Sequence, residues 1–223
     1  MSYTINIRIG KRRIMYIISE EIPILSIVKM ISLLILVLSI LNDGLPIRSD
    51  LMITQGEIIQ WAENYPTKKY IDPLFMAAIA TQESQLDHKA VSSAGAKGLF
   101  QFMPITIRDI TDRFKYPFDP YDPKQATEAA KIYLTWLCDK LLTEDTGRLI
   151  FYLRDSYIKY PHDIVLAAWN WGYGNVQKYI NSRVVRNSNI YEAKKEGHIE
   201  LPTETKTFIA KVNTYYMMLI LTN

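Results

Sequence analysis

Twenty consecutive residues, Ile22 to Leu41, contain a single charge, Lys29. An apolar stretch of that length matches the ~20 residues a helix needs to cross a bilayer. It has no polar stripe that an amphipathic core helix could turn toward water. The run therefore predicts a transmembrane helix over residues 22–41, with a short basic segment, 1–21, before it. Arg8, Lys11, Arg12 and Arg13 precede the run and only Arg48 follows closely. The positive-inside asymmetry then places residues 1–21 in the cytoplasm and the chain beyond about residue 42 outside. A signal peptide with its apolar region at 30–41 competes for the same residues, although no A-x-A-like cleavage site follows Leu41. Either reading exports the rest of the chain.

That exported part is long enough for one domain with a sizeable core, and with 48% hydrophobic and 22% charged residues the chain has globular composition. Residues 1–48 carry six Lys/Arg against three Asp/Glu, which leaves residues 49–223 with twenty of each out of the totals of 26 and 23. A neutral domain lacks the concentrated basic face that nucleic-acid binding normally needs, so no nucleic-acid partner is expected. Cys138 is the single cysteine, which rules out an intrachain disulfide, and His88, His162 and His198 are too scattered to build a metal site. Surface or capping roles suit the histidines better. The fold must hold by packing, and no metal or cofactor is expected.

Beyond a linker at 42–53, helix signals dominate. Thr54 with Glu57 forms a capping-box pattern, followed by Ile58, Ile59, Trp61, Ala62 and Tyr65 until Pro66. Asp72-Pro73 pairs an N-cap with proline at the first helical position and opens LFMAAIATQES. Pro104 starts another helix, and Asp122-Pro123-Lys124-Gln125 a further one whose apolar stripe runs from Ala126 to Leu141. Residues 163–171 read as a short apolar helix ended by Gly172 and Gly174, and a last helix covers about Thr203 to Leu221. The domain at 54–223 is thus predicted to be mainly α.

In the helix opened by Asp72, Phe75, Ile79 and Glu83 stand at i, i+4 and i+8, so a carboxylate shares a face with two core-type side chains. Partial desolvation there raises a carboxyl pKa toward neutrality, the property a general acid needs near pH 7. A solvated glutamate at the rim of the last turn is the ordinary alternative. Downstream, Ala94-Gly95-Ala96-Lys97-Gly98 is a small-residue loop that lets backbone approach a ligand, and Leu99-Phe100-Gln101-Phe102-Met103-Pro104 sets one amide among large apolar groups. Ala167-Ala168-Trp169-Asn170-Trp171-Gly172-Tyr173-Gly174-Asn175 mixes aromatics with amides, a composition suited to stacking on sugar faces and hydrogen-bonding their substituents. Core packing competes as a role for the two tryptophans. The Gly-Tyr-Gly in this stretch ends a helix and lacks a third glycine, so it is no dinucleotide fingerprint.

These segments, with Glu83-Ser84 before them and Leu201-Pro202-Thr203-Glu204-Thr205 after them, resemble the catalytic domain of soluble lytic transglycosylases, over about residues 55–221. The resemblance implies a lysozyme-like helical fold shared with goose-type lysozyme, and peptidoglycan glycan strands as substrate. It implies Glu83 as catalytic acid and base, and Ser92, Gln101, Met103, Asn170 and Glu204 as residues along the sugar cleft; Trp169 and Tyr173 are expected as further sugar contacts from the aromatic composition of their own stretch. Two positions depart from the pattern. Trp169 stands where the family usually has a tyrosine whose hydroxyl contacts the catalytic carboxyl, and Phe208 replaces a tyrosine common in the closing helix. An indole N–H donates but cannot accept, and phenylalanine does neither.

The resemblance further implies cleavage between N-acetylmuramic acid and N-acetylglucosamine with closure of a 1,6-anhydro ring, a substrate-assisted route for which one carboxylate suffices. Two alternatives stay open. One is a hydrolytic muramidase in which Glu83 works with a water, and with Asp87 as a second carboxylate if the helix continues; the other is a wall-binding or assembly protein that kept the fold without the chemistry. Residues 143–163 follow no part of the pattern, and the sequence identifies no envelope-spanning machinery as a partner.

Overall fold

Side-chain caps at Thr54, Asp72 and Asp122 set three of the helix starts in this protein. The computed structural model describes residues 3–9, 12–18, 53–63, 71–142, 146–153, 155–187, 190–193 and 199–222. The expected membrane span at 22–41, most of the linker at 42–53, and His198 lie outside them; no described helix is long and apolar enough to cross a membrane. The chain forms two units, residues 1–48 and 49–223.

In the first unit, strands β1 (Tyr3–Ile9) and β2 (Arg12–Ile18) pair antiparallel from Tyr3 opposite Ile18 to Ile9 opposite Arg12. The reading of residues 1–21 as a plain basic segment overlooked this hairpin. Its sequence signal is the alternation of Tyr3, Ile5, Ile7 and Ile9 with Thr4, Asn6 and Arg8, the period of a strand.

The second unit is mainly helical: α1 (Gln55–Glu63), α2 (Pro73–Ser84), α3 (Pro104–Phe114), α4 (Pro123–Leu141), α5 (Thr146–Leu153), α6 (Pro161–Trp171), α7 (Tyr173–Arg183) and α8 (Thr203–Thr222). A short antiparallel pair, β3 (Val184–Asn187) and β4 (Ile190–Ala193), follows α7. Thr54 and Glu57 form the expected reciprocal box: the Thr54 N–H donates to Glu57 Oε2 at 2.8 Å and the Glu57 N–H to Thr54 Oγ1 at 3.2 Å. Asp72 accepts from the Phe75 N–H at 2.8 Å and Asp122 from the Gln125 N–H at 2.9 Å, each with proline at the first helical position. Gly172, at φ +92°, ends α6 as expected. Gly174 does not end a helix: α7 starts at Tyr173, and Gly174 sits in its first turn.

Helix α2 is the axis of the domain. Phe75, Met76, Ala77, Ala78, Ile79 and Ala80 are all fully buried, so this helix is apolar all round rather than along one face. Its alanines let α8, α1 and α4 pack directly against it. Lys131, buried on α4, donates to the Ala62 carbonyl near the end of α1 and links those two helices. Asp163 is buried at the start of α6, where it accepts from the backbone N–H groups of Lys159 and Tyr160 at 2.8 Å and from Asn213 Nδ2 at 2.7 Å. His162, expected at the surface or in a cap, is instead half-buried among the rings of Phe75, Tyr160 and Tyr216, and this burial pushes its pKa down.

Candidate functional site

Helix α2 is buried along its middle, Phe75 to Ala80, and in its last turn the side chains regain contact with solvent. Glu83 emerges there, into a cleft of about 530 Å³. The helix stops one residue later: Ser84 Oγ donates to the Leu99 carbonyl at 2.8 Å, and Gln85 and Leu86 turn the chain with φ of 53° and 70°. Asp87 therefore does not continue the helix and does not line the cleft. Its Oδ1 accepts from the Lys89 N–H at 2.8 Å.

The loop after α2 forms one wall. Ser92 Oγ accepts from the Ala96 N–H at 3.0 Å while the Ser92 N–H donates to the Ala96 carbonyl at 3.0 Å, closing a tight turn around Gly95. Gly98, at φ +73°, lies so close to Pro120 that a Cβ there would stand 1.7 Å from its carbonyl oxygen. Only glycine fits. Gln101 follows, itself left-handed at φ 48°, and its Nε2 donates to the carbonyls of Gly98 at 2.9 Å and Ala90 at 3.2 Å. Its N–H donors are thus committed to the loop, which leaves the amide oxygen as the acceptor it can offer a sugar.

The opposite wall comes from α6 and α8. Asn170 Oδ1 accepts from Thr205 Oγ1 at 2.8 Å, which orients the amide and leaves its N–H groups as donors. Trp169 Nε1 donates to Glu83 Oε1 at 2.7 Å, and the indole is wedged among the rings of Phe102, Tyr133 and Phe100 at centroid distances of 5.6, 5.9 and 6.2 Å. The departure from tyrosine at this position thus keeps a donor on the acidic side chain.

Burial pushes the Glu83 carboxyl from 4.5 up to about 7; the Trp169 hydrogen bond pulls the other way, and the negative charge of Glu204 adds to the rise. Near neutral pH the group therefore exists in both protonation states, as a group that must give and then take a proton requires.

Of the residues expected at the site, Glu83, Ser92, Gln101, Met103, Trp169, Asn170 and Glu204 all line this cleft. Tyr173 does not: its ring packs on Trp136 at 5.0 Å, because α7 starts immediately after Gly172 and carries it away. Tyr133, Thr106 and Thr207 line the cleft without having been expected there. Tyr133 belongs to the stripe of α4 that reads as core, and nothing local marks it as a cleft residue. Phe208, the other departure from the family pattern, is 4% exposed and reaches the cleft with an apolar edge. Among the described residues no group of His, Cys, Asp and Glu could hold a metal ion.

Two solved structures share this architecture. The 70 kDa soluble lytic transglycosylase from Escherichia coli matches with 22% identity and a TM-score of 0.50, over 75% of this chain and 24% of that one. The complex of the 70 kDa soluble lytic transglycosylase with bulgecin A matches with 22% identity and a TM-score of 0.50, over 74% of this chain and 24% of that one. At this identity the likeness concerns the fold, and this chain spans about a quarter of the length of those proteins. The family model described as the transglycosylase SLT domain matches residues 60–191, more than half of the chain and including Glu83, the Gly95–Gly98 loop and Trp169-Asn170. The mainly helical, lysozyme-like domain therefore belongs to the transglycosylase SLT family.

Proposed function

We propose that this protein is a peptidoglycan lytic transglycosylase in which Glu83 is the single general acid and base. The observation that carries the reading is the Glu83 carboxyl itself, set in a cleft, held by one N–H, with its pKa lifted to about 7. Protonated, it delivers its proton to the oxygen bridging N-acetylmuramic acid and N-acetylglucosamine as the bond from that oxygen to C1 breaks. The neighbouring acetamide stabilises the cation that develops. The resulting carboxylate then takes the proton from the 6-hydroxyl of the same muramic acid, whose oxygen bonds to C1 and closes the 1,6-anhydro ring. The proton lost in the first step is regained in the second, and no water is consumed. Gln101, through its amide oxygen, and Asn170, through its amide N–H groups, are the polar contacts that fix the sugars; Ser92, Met103 and Glu204 complete the lining.

General acid–base assistance contributes about 10²–10⁴-fold, so Glu83→Gln is expected to lose at least that much turnover on purified sacculi while still binding them. Near-normal turnover by the variant would remove Glu83 from the mechanism, and binding without release of fragments by the unaltered protein would make it a wall-binding protein. Bulgecin A, with which a soluble lytic transglycosylase has been solved, is a suitable competitor for the cleft.

The tether belongs to the same proposal. Residues 22–41 anchor the protein in the membrane with 1–21 in the cytoplasm, and the linker at 42–53 holds the domain at 54–223 on the extracytoplasmic side, where peptidoglycan lies. A linker of that length extends at most about 40 Å, which limits the enzyme to wall near the membrane.

A further inference from the structure

Trp169 meets Glu83 through a group that can only donate. A protonated carboxyl has two unlike oxygens: the carbonyl oxygen is a good acceptor, whereas the hydroxyl oxygen is a poor one and must point its own proton elsewhere. The indole N–H lies 2.7 Å from Glu83 Oε1. Phe100, Phe102 and Tyr133 surround the indole, so the ring is not free to swing away when the carboxyl changes state. Among the described residues Oε2 has no hydrogen-bond partner, and the residue opens onto the cleft. A tyrosine hydroxyl at the same place could donate to the carboxylate and accept from the acid, and would leave either oxygen free to carry the proton.

We propose that Trp169 is a positioning residue that confines the acidic proton of Glu83 to Oε2, so that both proton transfers of the reaction pass through that one oxygen. The inference rests on the acid–base role assigned to Glu83 above, and it adds a direction to it. In the acid, Oε1 is the carbonyl that accepts from the indole and Oε2 holds the proton aimed at the glycosidic oxygen. After transfer, Oε1 keeps its indole bond and Oε2 is the base that collects the proton from the 6-hydroxyl. No rotation of the carboxyl separates the two steps. Because the indole bond strengthens when the carboxyl is charged, it also favours the ionised form, and deleting it must raise the Glu83 pKa.

The test does not depend on turnover. The protein has four tryptophans, and loss of one indole N–H resonance in Trp169→Phe identifies that of Trp169. This resonance is expected to titrate with a midpoint near 7, the value for Glu83, and to stop titrating in Glu83→Gln. With side-chain-labelled glutamate, Trp169→Phe is expected to raise the Glu83 midpoint by about one unit, and Trp169→Tyr, which restores a donor, to bring it back toward the starting value. An indole resonance that is flat across the Glu83 titration, or a Glu83 midpoint unchanged by loss of the indole, overturns the proposal. If Trp169→Phe does not fold, the titration of the unaltered protein beside Glu83→Gln still decides it. Failure of the catalytic reading would show as an active Glu83→Gln variant, a result independent of either titration.

Discussion

Replacing Gly98 by alanine tests how closely the cleft loop is built against its neighbour. The added Cβ would lie 1.7 Å from the Pro120 carbonyl oxygen, 2.7 Å from its carbon and 3.4 Å from the His88 carbonyl oxygen, at a φ of +73°. The left-handed backbone costs an alanine about 1–2 kcal/mol. The clash adds more, because the atoms it meets are main chain that must move as a unit; forced shifts of this kind cost about 1–3 kcal/mol. The sum, roughly 2–5 kcal/mol, is a large part of a typical domain stability of about 5–15 kcal/mol. For a domain of this size each kcal/mol lowers Tm by about 2–4 °C, so a fall of about 4–20 °C is expected by calorimetry. Gly95 supplies the control. It has a similar φ of +84° but open space where its Cβ would go, so Gly95→Ala bears only the backbone cost of about 1–2 kcal/mol, or about 2–8 °C. Equal melting temperatures for the two variants, or a lower one for Gly95→Ala, would refute the packing argument. Since Gly98 and Ala90 hold the Gln101 amide, turnover should fall further in Gly98→Ala than in Gly95→Ala.

The raised pKa of Glu83 has a stability signature of its own. Below pH 4.5 the folded and unfolded chains both keep the proton; between 4.5 and about 7 only the unfolded chain has released it, so stability falls as pH rises and then levels off. Glu83→Gln removes that penalty and should exceed the parent in stability by up to about 3 kcal/mol at pH 8, less what solvent in the cleft relieves, and by little at pH 4; thermal melts across pH read the difference directly. The same pKa places an alkaline limb near pH 7 on kcat/KM, because the first step needs the protonated acid, and a profile flat from pH 6 to 9 would contradict it. Tyr173→Phe should leave turnover within about twofold, as its ring packs on Trp136 outside the cleft, whereas Asn170→Ala should cost about tenfold or more through a lost sugar contact.

The starts of α1, α2 and α4 were legible because their causes are local. Asp72 caps Phe75 and Asp122 caps Gln125, each three residues away, and proline fixes the next φ. Glu83 was legible for a related reason, since its spacing from Phe75 and Ile79 put a carboxylate beside core residues. Yet the reason it emerges into a cleft is different: α2 is buried on every side from Phe75 to Ala80, and its last turn leaves the core beside the cleft. What stayed hidden depends on distant partners. The resemblance set Trp169 at the catalytic carboxyl, but its bond to Glu83, 86 residues away, has no local sign, and Tyr133 enters the cleft because α4 packs against α6. The Gly172–Gly174 stretch misled because two glycines so close together read as one terminus. In the fold Gly172 alone makes the break, and α7 resumes at once.

The proposed reaction turns on one proton and one sugar hydroxyl, and product mass reports on both. Sacculi digested with residues 49–223 are expected to yield fragments ending in 1,6-anhydro-N-acetylmuramic acid, lighter by one water than their hydrolytic counterparts, and Glu83→Gln should release almost none. Fragments carrying a reducing end instead would mean that water, not the 6-hydroxyl, attacks C1, and would make the protein a muramidase.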